Sequence, residues 1–396
     1  MISVSEAKSI ILENTSLGEQ AILPLVEARG LTLAQDVFAP HDIPNYSQSS
    51  MDGYAIRFNS PDKLFKITCE IAAGAERLLT INENEAARIF TGAPLPQGAD
   101  TVVMQEKTRV TDDLVSIQDD QLVQGANVRP RGSEITEGAL ALRAGSFLGP
   151  GALGFLAGLG IAQVKVFALP KVTLIVTGNE LLGPGMPISF GKVYDANSVS
   201  IVAALNQAGI SAVDVVRAGD DLHGLQSAIS AALERSDMVL LSGGVSVGDY
   251  DFVVKAANAC GVSTKFHRVK QKPGKPLFFG TKDSKLIFGL PGNPSSSLTC
   301  FFMYTLPAIE KWGALRNSIQ NKKLVLEHDF TKVQGLTQFV KALAGNGRVS
   351  IMNAQESFRL YSFAQANSIV ELDESLTQLH TGDEVNVHLL PGCYDC

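Results

Sequence analysis

The residues of this chain that could do chemistry gather in a few short stretches rich in glycine and proline. The fullest runs from Ser236 to Phe252. It opens as an apolar run, Met238 to Leu241, too short for a helix, which is how a buried parallel strand reads. It then breaks into Ser242-Gly243-Gly244, passes through Ser246-Val-Gly248, and ends on two acids, Asp249 and Asp251. Backbone N–H groups exposed in such a glycine loop suit a phosphate, and the acids suit a divalent metal. A strand followed by two glycines would equally serve as a tight turn carrying solvated acids, so the rest of the chain has to decide. A second stretch, Lys270-Gln-Lys-Pro-Gly-Lys-Pro276, spaces Lys272 and Lys275 across a stiff Pro-Gly turn. A solvated loop accounts for one such lysine; two suit an oxyanion.

These residues need a frame. Between Lys171 and Trp312, strands at Val172–Val176, Val213–Arg217, Met238–Leu241 and Leu286–Gly289 alternate with helical patterns at Asn197–Ala208, Leu222–Arg235, Phe252–Ala259 and Ser295–Trp312. That alternation predicts a parallel sheet with helices on both faces. Each strand runs into a polar loop: Thr177-Gly-Asn-Glu180, Ala218-Gly-Asp-Asp221, the glycine loop above, and Pro291-Gly-Asn-Pro294. Parallel strands share their carboxyl ends, so these loops should meet at one edge, where open α/β sheets bind ligands.

Elsewhere the pattern is mostly β. Val4 to Glu13 reads as a helix, Leu23 to Phe38 as extended chain around a glycine turn, and Pro40 to Ser50 as a loop. Short strands from Phe65 to Val128 (Phe65–Ile71, Ala87–Phe90, Thr101–Gln105, Leu114–Ile117) predict a small β domain holding the loop Thr91 to Asp100. A Gly-rich helix at Pro150 to Gly160 and a strand at Val164 to Ala168 follow. The tail, Lys322 to Leu390, alternates again and reads as a separate all-β domain. There is no internal repeat.

Composition excludes several classes. With 396 residues, 45% hydrophobic and 18% charged, the chain is globular and long enough for more than one domain. A net charge of −7 argues against a nucleic-acid surface, and means that an anionic ligand would need local lysines or a metal. The longest uncharged stretch, Ala144 to Gln163, is broken by glycines and a proline and does not suit a bilayer span. No basic run followed by a long apolar run opens the chain, so no signal peptide and a cytoplasmic location are expected. Cys69, Cys260 and Cys300 sit among apolar neighbours; Cys393 and Cys396, at the tail, have no second pair nearby and are not read as a zinc or redox site. The six histidines lack metal-ligand spacing.

The loops together resemble the molybdopterin molybdenumtransferase family, also called MoeA and shared by the E domain of gephyrin. The resemblance covers nearly the whole chain and rests on Ser49-x-Met-Asp-Gly-Tyr-Ala55, Thr91-Gly-Ala-Pro-Leu-Pro-x-Gly-Ala-Asp100, Thr177-Gly-x-Glu-Leu181, Asp195-x-Asn197, Ser242-Gly-Gly-Val-Ser-Val-Gly-Asp-Tyr-Asp251, Lys272-Pro-Gly-Lys-Pro276 and Gly289-Leu-Pro-Gly-Asn-Pro-x-Ser296. It implies a multidomain protein, α/β plus β, that forms an elongated homodimer. The α/β domain would be residues 1–18 with 170–318, a linking domain 19–39 with 134–169, a small β domain 40–133, and a C-terminal β-barrel 319–396. The active cleft would lie between the α/β domain of one subunit and the partner subunit's β domains.

The resemblance also implies a reaction. Molybdate enters adenylylated molybdopterin and AMP leaves, with Mg²⁺ required. Asp220 and Asp251, with Glu180, would hold Mg²⁺ and the adenylate phosphates; the competing reading of Asp220 is an N-cap ahead of Leu222. Asp249 would help there or fix its own loop, and Gly243, Gly244 and Ser246 would cradle phosphate. Lys272 and Lys275 would receive molybdate with Ser357 of the tail domain, while Pro291 and Pro294 shape their loop. Asp52 and Thr91 would reach across the dimer or hydrogen-bond within their own loop. The chain departs from the family at Glu134, where the family usually has Asp, at Lys341, where a tail-domain arginine helps hold the oxyanion, and at Gln355–Arg359, which lacks the usual glycine. Lysine keeps the charge at that position and loses the bidentate fork. A functional link to the molybdopterin adenylyltransferase that makes the substrate is implied. The competing functions are a non-catalytic scaffold, a nucleotide pyrophosphatase on the same α/β domain, and a paralogue for tungstate. Retention of Glu180, Asp220, Asp251, Lys272 and Lys275 together argues against a pure scaffold.

Overall fold

The computed structural model describes residues 1–58, 63–219, 221–243 and 252–392. Asp220, Gly244, Ser246, Asp249, Asp251 and the Cys393/Cys396 pair lie outside these. The chain divides into two compact units, residues 1–22, 30–32 and 165–396, and residues 23–29 and 33–164.

In the first unit, α1 (Val4–Glu13) starts at Ser3 in a reciprocal capping box with Glu6. Strands β1 (Val172–Thr177), β2 (Val213–Ala218), β3 (Met238–Ser242) and β7 (Lys285–Leu290) run parallel in the order β2-β1-β3-β7. Helices α2 (Ala196–Gln207), α3 (Leu222–Arg235) and α4 (Phe252–Ala259) connect them. Every residue of β1 and β3 is buried, as a strand covered on both faces requires. Alternate side chains sort to two cores. Leu174, Leu240 and Phe288, in register across the sheet, pack with α1 and α2, while Ile175, Leu241 and Ile287 pack with α3 and α4.

The parallel sheet is extended by two antiparallel strands that the sequence pattern does not reveal, β4 (Ser263–Arg268) and β6 (Pro276–Lys282), with the short β5 (Gln271–Lys272) between them. β6 starts on a proline and contains Gly280, where a Cβ would stand 2.7 Å from Val262 Cγ1. The helix expected at Ser295–Trp312 is interrupted: α5 (Pro294–Cys300) opens into a π-helical segment, Phe301–Thr305, before α6 (Leu306–Trp312). Pro307 lacks an N–H for the preceding turn and its ring crowds it, which a wider turn relieves.

The tail is a closed five-stranded barrel. β8 (Gln320–Leu326), β9 (Thr337–Gly345), β10 (Arg348–Ile351), β11 (Ser368–Leu372) and β12 (Glu384–Leu389) close in the order β9-β10-β8-β12-β11-β9. Val340, Ala342, Ala344, Val370 and Val387 fill its interior. Phe339, on the other face of β9, belongs to the core of the α/β sheet. β5 adds to β9 in parallel, Gln271 opposite Thr337 and Lys272 opposite Gln338.

Among the described residues the second unit holds a six-stranded sheet, in the order Thr101–Met104, Gly53–Ile56, Glu85–Ile89, Leu64–Ile71, Leu114–Ile117, Thr108–Thr111. Gly53 is required there, since a Cβ would stand 1.9 Å from the Val103 carbonyl oxygen. No helix among the described residues is long and apolar enough to cross a membrane.

Candidate functional site

The loops following β1, β3 and β7 meet at the carboxyl edge of the sheet. Gly243 leaves β3 with φ +93°, and a Cβ there would lie 2.7 Å from Thr177 Oγ1 and 2.8 Å from the Thr177 carbonyl oxygen. Gly292, in the loop after β7, approaches so closely that its own Cβ would be 3.7 Å from Gly243 Cα. Asn197, in the first turn of α2, joins these loops: its Nδ2 donates to Ser242 Oγ and to the Gly292 carbonyl, each at 2.8 Å. Asp195 caps the same helix, accepting from Ser198 N at 3.0 Å and Ser198 Oγ at 2.7 Å. Two buried polar atoms at this edge, Thr177 Oγ1 and Asn197 Oδ1, have no partner among the described residues. Glu180 is exposed, and its carboxylate folds back over Gly178, Oε1 lying 2.9 Å from where a Cβ would be.

The N-cap of α3 is Asp221, which accepts from Gly224 N at 2.8 Å. Capping is therefore not left for Asp220, whose proposed role lies outside the described residues.

The lysine turn abuts this edge. Gly274, φ +80°, sits where a Cβ would be 2.5 Å from Cys300 Sγ and 3.7 Å from Pro291 Cγ, so the turn packs on the loop after β7 and on α5. Lys272 and Lys275 are both exposed, and neither ammonium meets an acceptor or a carboxylate among the described residues. Pro291 is buried beside Gly274, and Pro294 takes the first position of α5, where a proline costs no hydrogen bond.

The barrel contributes Ser357. Its hydroxyl accepts from Asn293 Nδ2 at 2.7 Å, and its carbonyl accepts from Ser295 N at 3.1 Å and Ser296 N at 3.3 Å. Lys341 differs from the expectation of a direct oxyanion ligand. It is 3% exposed, and its ammonium donates to Ser295 Oγ at 3.1 Å, Ala354 O at 3.2 Å and Arg359 O at 3.3 Å. Burial pushes its pKa down. Its charge stands behind Ser295, with all three protons engaged by the protein.

In the second unit Asp52 and Thr91 form one pair. Asp52 Oδ1 accepts from Thr91 N and Thr91 Oγ1, each at 2.8 Å, and these bonds hold the carboxyl below its usual range. Glu134 is exposed. A groove of about 640 Å³ on the outer flank of α2 is lined by Pro184, Tyr194, Val199 and Leu360 and, among the described residues, includes neither Gly243 nor Lys272 or Lys275. Among the described residues no three His, Cys, Asp or Glu side chains converge as a metal site.

Sequence reading did not assign roles to Asn197, Asn293, Ser295 or Gln271. For Asn197 the signal was present in the Asp195-x-Asn197 pair that opens α2, but what it binds depends on loops distant in sequence.

Three family models match in succession: the MoeA N-terminal region (domain I and II) over residues 2–160, the probable molybdopterin binding domain over 173–311, and the MoeA C-terminal region (domain IV) over 323–390. The chain is 31% identical over 402 residues to the molybdopterin molybdenumtransferase 2 of Mycobacterium tuberculosis strain H37Rv, covering 98% of this chain and 99% of that protein. It is 33% identical over 400 residues to the molybdopterin molybdenumtransferase of Staphylococcus aureus strain MRSA252, covering 98% and 95%. The crystal structure of a molybdopterin biosynthesis MoeA protein from Pyrococcus horikoshii superposes with a TM-score of 0.83 at 29% identity, covering 99% of this chain and all of that one. The chain belongs to the molybdopterin molybdenumtransferase (MoeA) family.

Proposed function

We propose that the chain inserts molybdate into adenylylated molybdopterin with release of AMP, in the synthesis of the molybdenum cofactor. One observation carries this reading. A turn bearing two exposed lysines, with no partner among the described residues, packs on Pro291, and the loop that holds Pro291 touches Gly243 and is tied to Asn197, which supports reading an oxyanion site beside the glycine-loop edge. Molybdate and a pyrophosphate-linked adenylate are both polyanions, and on a chain of net charge −7 they need local cations.

Lys272 and Lys275 would hold molybdate as two point charges. The Ser357 hydroxyl, which accepts from Asn293, keeps its own proton to donate to the same oxyanion. Thr177 Oγ1 and Asn197 Oδ1 would take polar atoms of the adenylylated pterin. The protein's main contribution is positioning, which places the pterin's sulfurs against molybdate and excludes the wrong geometry. Glu180 is the one member of the proposed Mg²⁺ set, with Asp220 and Asp251, within the described residues. Mg²⁺, when bound, would neutralise and polarise the phosphoanhydride. Asp249, Gly244 and Ser246 complete the proposed phosphate loop, and Asp52 with Thr91 acts as a hydrogen-bonded pair. A homodimer, supply of substrate by the adenylyltransferase, and a cytoplasmic location belong to the same proposal.

The test is AMP release by the purified protein from adenylylated molybdopterin with Mg²⁺. Release that requires molybdate supports insertion; release indifferent to molybdate assigns a pyrophosphatase.

A further inference from the structure

The lysine turn is held from below by a group that the proposed reaction does not use. Gln271 is fully buried and immediately precedes Lys272. Its Nε2 donates to the Gly274 carbonyl at 2.8 Å and approaches Cys300 Sγ at 3.4 Å, and its Oε1 accepts the hydroxyl proton of Tyr304. One amide thus spans the turn from the residue before Lys272 to the residue before Lys275. Tyr304 is 1% exposed and lies in the π-helical segment among Phe301, Met303 and Leu306, in an otherwise apolar core. The wide turn sets its register, and its hydroxyl has Gln271 as hydrogen-bond partner. Burial pushes the Cys300 thiol up to about 12, so the floor under Gly274 is uncharged. Neither Gln271 nor Tyr304 reaches solvent, so neither touches a substrate.

We propose that Gln271 and Tyr304 are positioning residues that set oxyanion affinity by fixing the turn on which Lys272 and Lys275 stand. This rests on the reading of the two lysines as the molybdate site. Two cations bind one small oxyanion well only at a fixed separation, and a four-residue turn keeps that separation only if both ends are tied. The backbone pairing of β5 with β9 ties the first end, and the Gln271 amide ties the second.

The test measures molybdate binding to the full chain by calorimetry without pterin, beside the molybdate dependence of turnover. Tyr304→Phe, which keeps the ring and removes the hydroxyl, and Gln271→Leu, which removes the whole tie, should each weaken molybdate binding, by roughly 3-fold and roughly 10-fold respectively, as loss of one and of two buried hydrogen bonds gives. KM for molybdate should rise in step while kcat stays within about 2-fold, the signature of lost binding rather than lost chemistry. Thr305→Ala alters the same π-helical segment at a buried hydroxyl that has no partner among the described residues, and should leave molybdate binding unchanged. Unchanged affinity in Tyr304→Phe and Gln271→Leu, with weakened binding in Lys272→Ala and Lys275→Ala, would overturn the positioning role alone. Unchanged affinity in the lysine variants would instead overturn the molybdate site on which the proposal stands.

Discussion

The side-chain amide of Asn293 donates to the hydroxyl of Ser357 at 2.7 Å, joining the loop after β7 to the barrel. Ser357 returns two bonds through its carbonyl, to the backbone N–H groups of Ser295 and Ser296. The barrel therefore sets where the Pro291–Pro294 loop ends. If the Ser357 hydroxyl donates to molybdate as proposed, removing either side chain should reduce kcat/KM for molybdate by about 10-fold. A double-mutant cycle of Asn293→Ala with Ser357→Ala should show coupling of about 1 kcal/mol; additive effects would separate the two residues.

Gly243→Ala places a methyl 2.7 Å from Thr177 Oγ1 on a backbone at φ +93°. Either the loop moves or the residue strains. The expected loss is about 1–3 kcal/mol, read from urea unfolding, with activity reduced more than that loss of fold explains.

Lys341→Met leaves the Ser295 hydroxyl and two backbone carbonyls without the donor that serves them. The expected cost is about 2–3 kcal/mol in the unfolding free energy, because Lys341 is 3% exposed and its acceptors would be left buried without a donor. A variant as stable as the parent would show that the ammonium is not part of the structure.

Glu371 ties the barrel to α1 and to its own neighbour. It accepts from Lys8 Nζ at 2.9 Å and pairs with His388 Nε2 at 2.8 Å. Burial pushes its carboxyl up, but the His388 hydrogen bond and the Lys8 ammonium outweigh that and bring it from 4.5 to about 2. A carboxyl depressed in the folded state stabilises above its unfolded pKa, and that stabilisation is lost as pH falls through the folded value. The chain should lose up to about 3 kcal/mol between pH 4.5 and about 2 from this group. Glu371→Gln should be less stable at neutral pH and show a shallower acid slope. Parallel slopes for the two proteins would assign the acid sensitivity elsewhere.

Much of this fold is legible in the sequence because its strands are buried on both faces. Met238–Leu241 is wholly apolar, Val172–Val176 is broken only by the buried Thr173, and each strand ends in a glycine or polar loop, so the edge where these loops gather could be placed from the chain alone. β4 is polar at every residue but Phe266 and β6 begins with a proline, so their pairing on the sheet follows from tertiary context, not local pattern. The π-helical turn is written in Pro307, but its consequence, Tyr304 meeting Gln271, joins residues 33 positions apart. Lys341 reads as a site cation until its three acceptors are seen, two of which are backbone carbonyls with no sequence signature.

In the proposed reaction the two exposed lysines, Lys272 and Lys275, deliver molybdate to a chemistry performed at the sheet edge. The most direct measurement is AMP release from adenylylated molybdopterin against molybdate concentration, for the parent chain, Lys272→Ala with Lys275→Ala, and Asp251→Ala. The parent should release AMP only with molybdate. The lysine variant should need at least about 10-fold more of it, as loss of two charge-assisted contacts implies. Asp251→Ala should release none at any concentration. A lysine variant with the parent's molybdate dependence would contradict the claim.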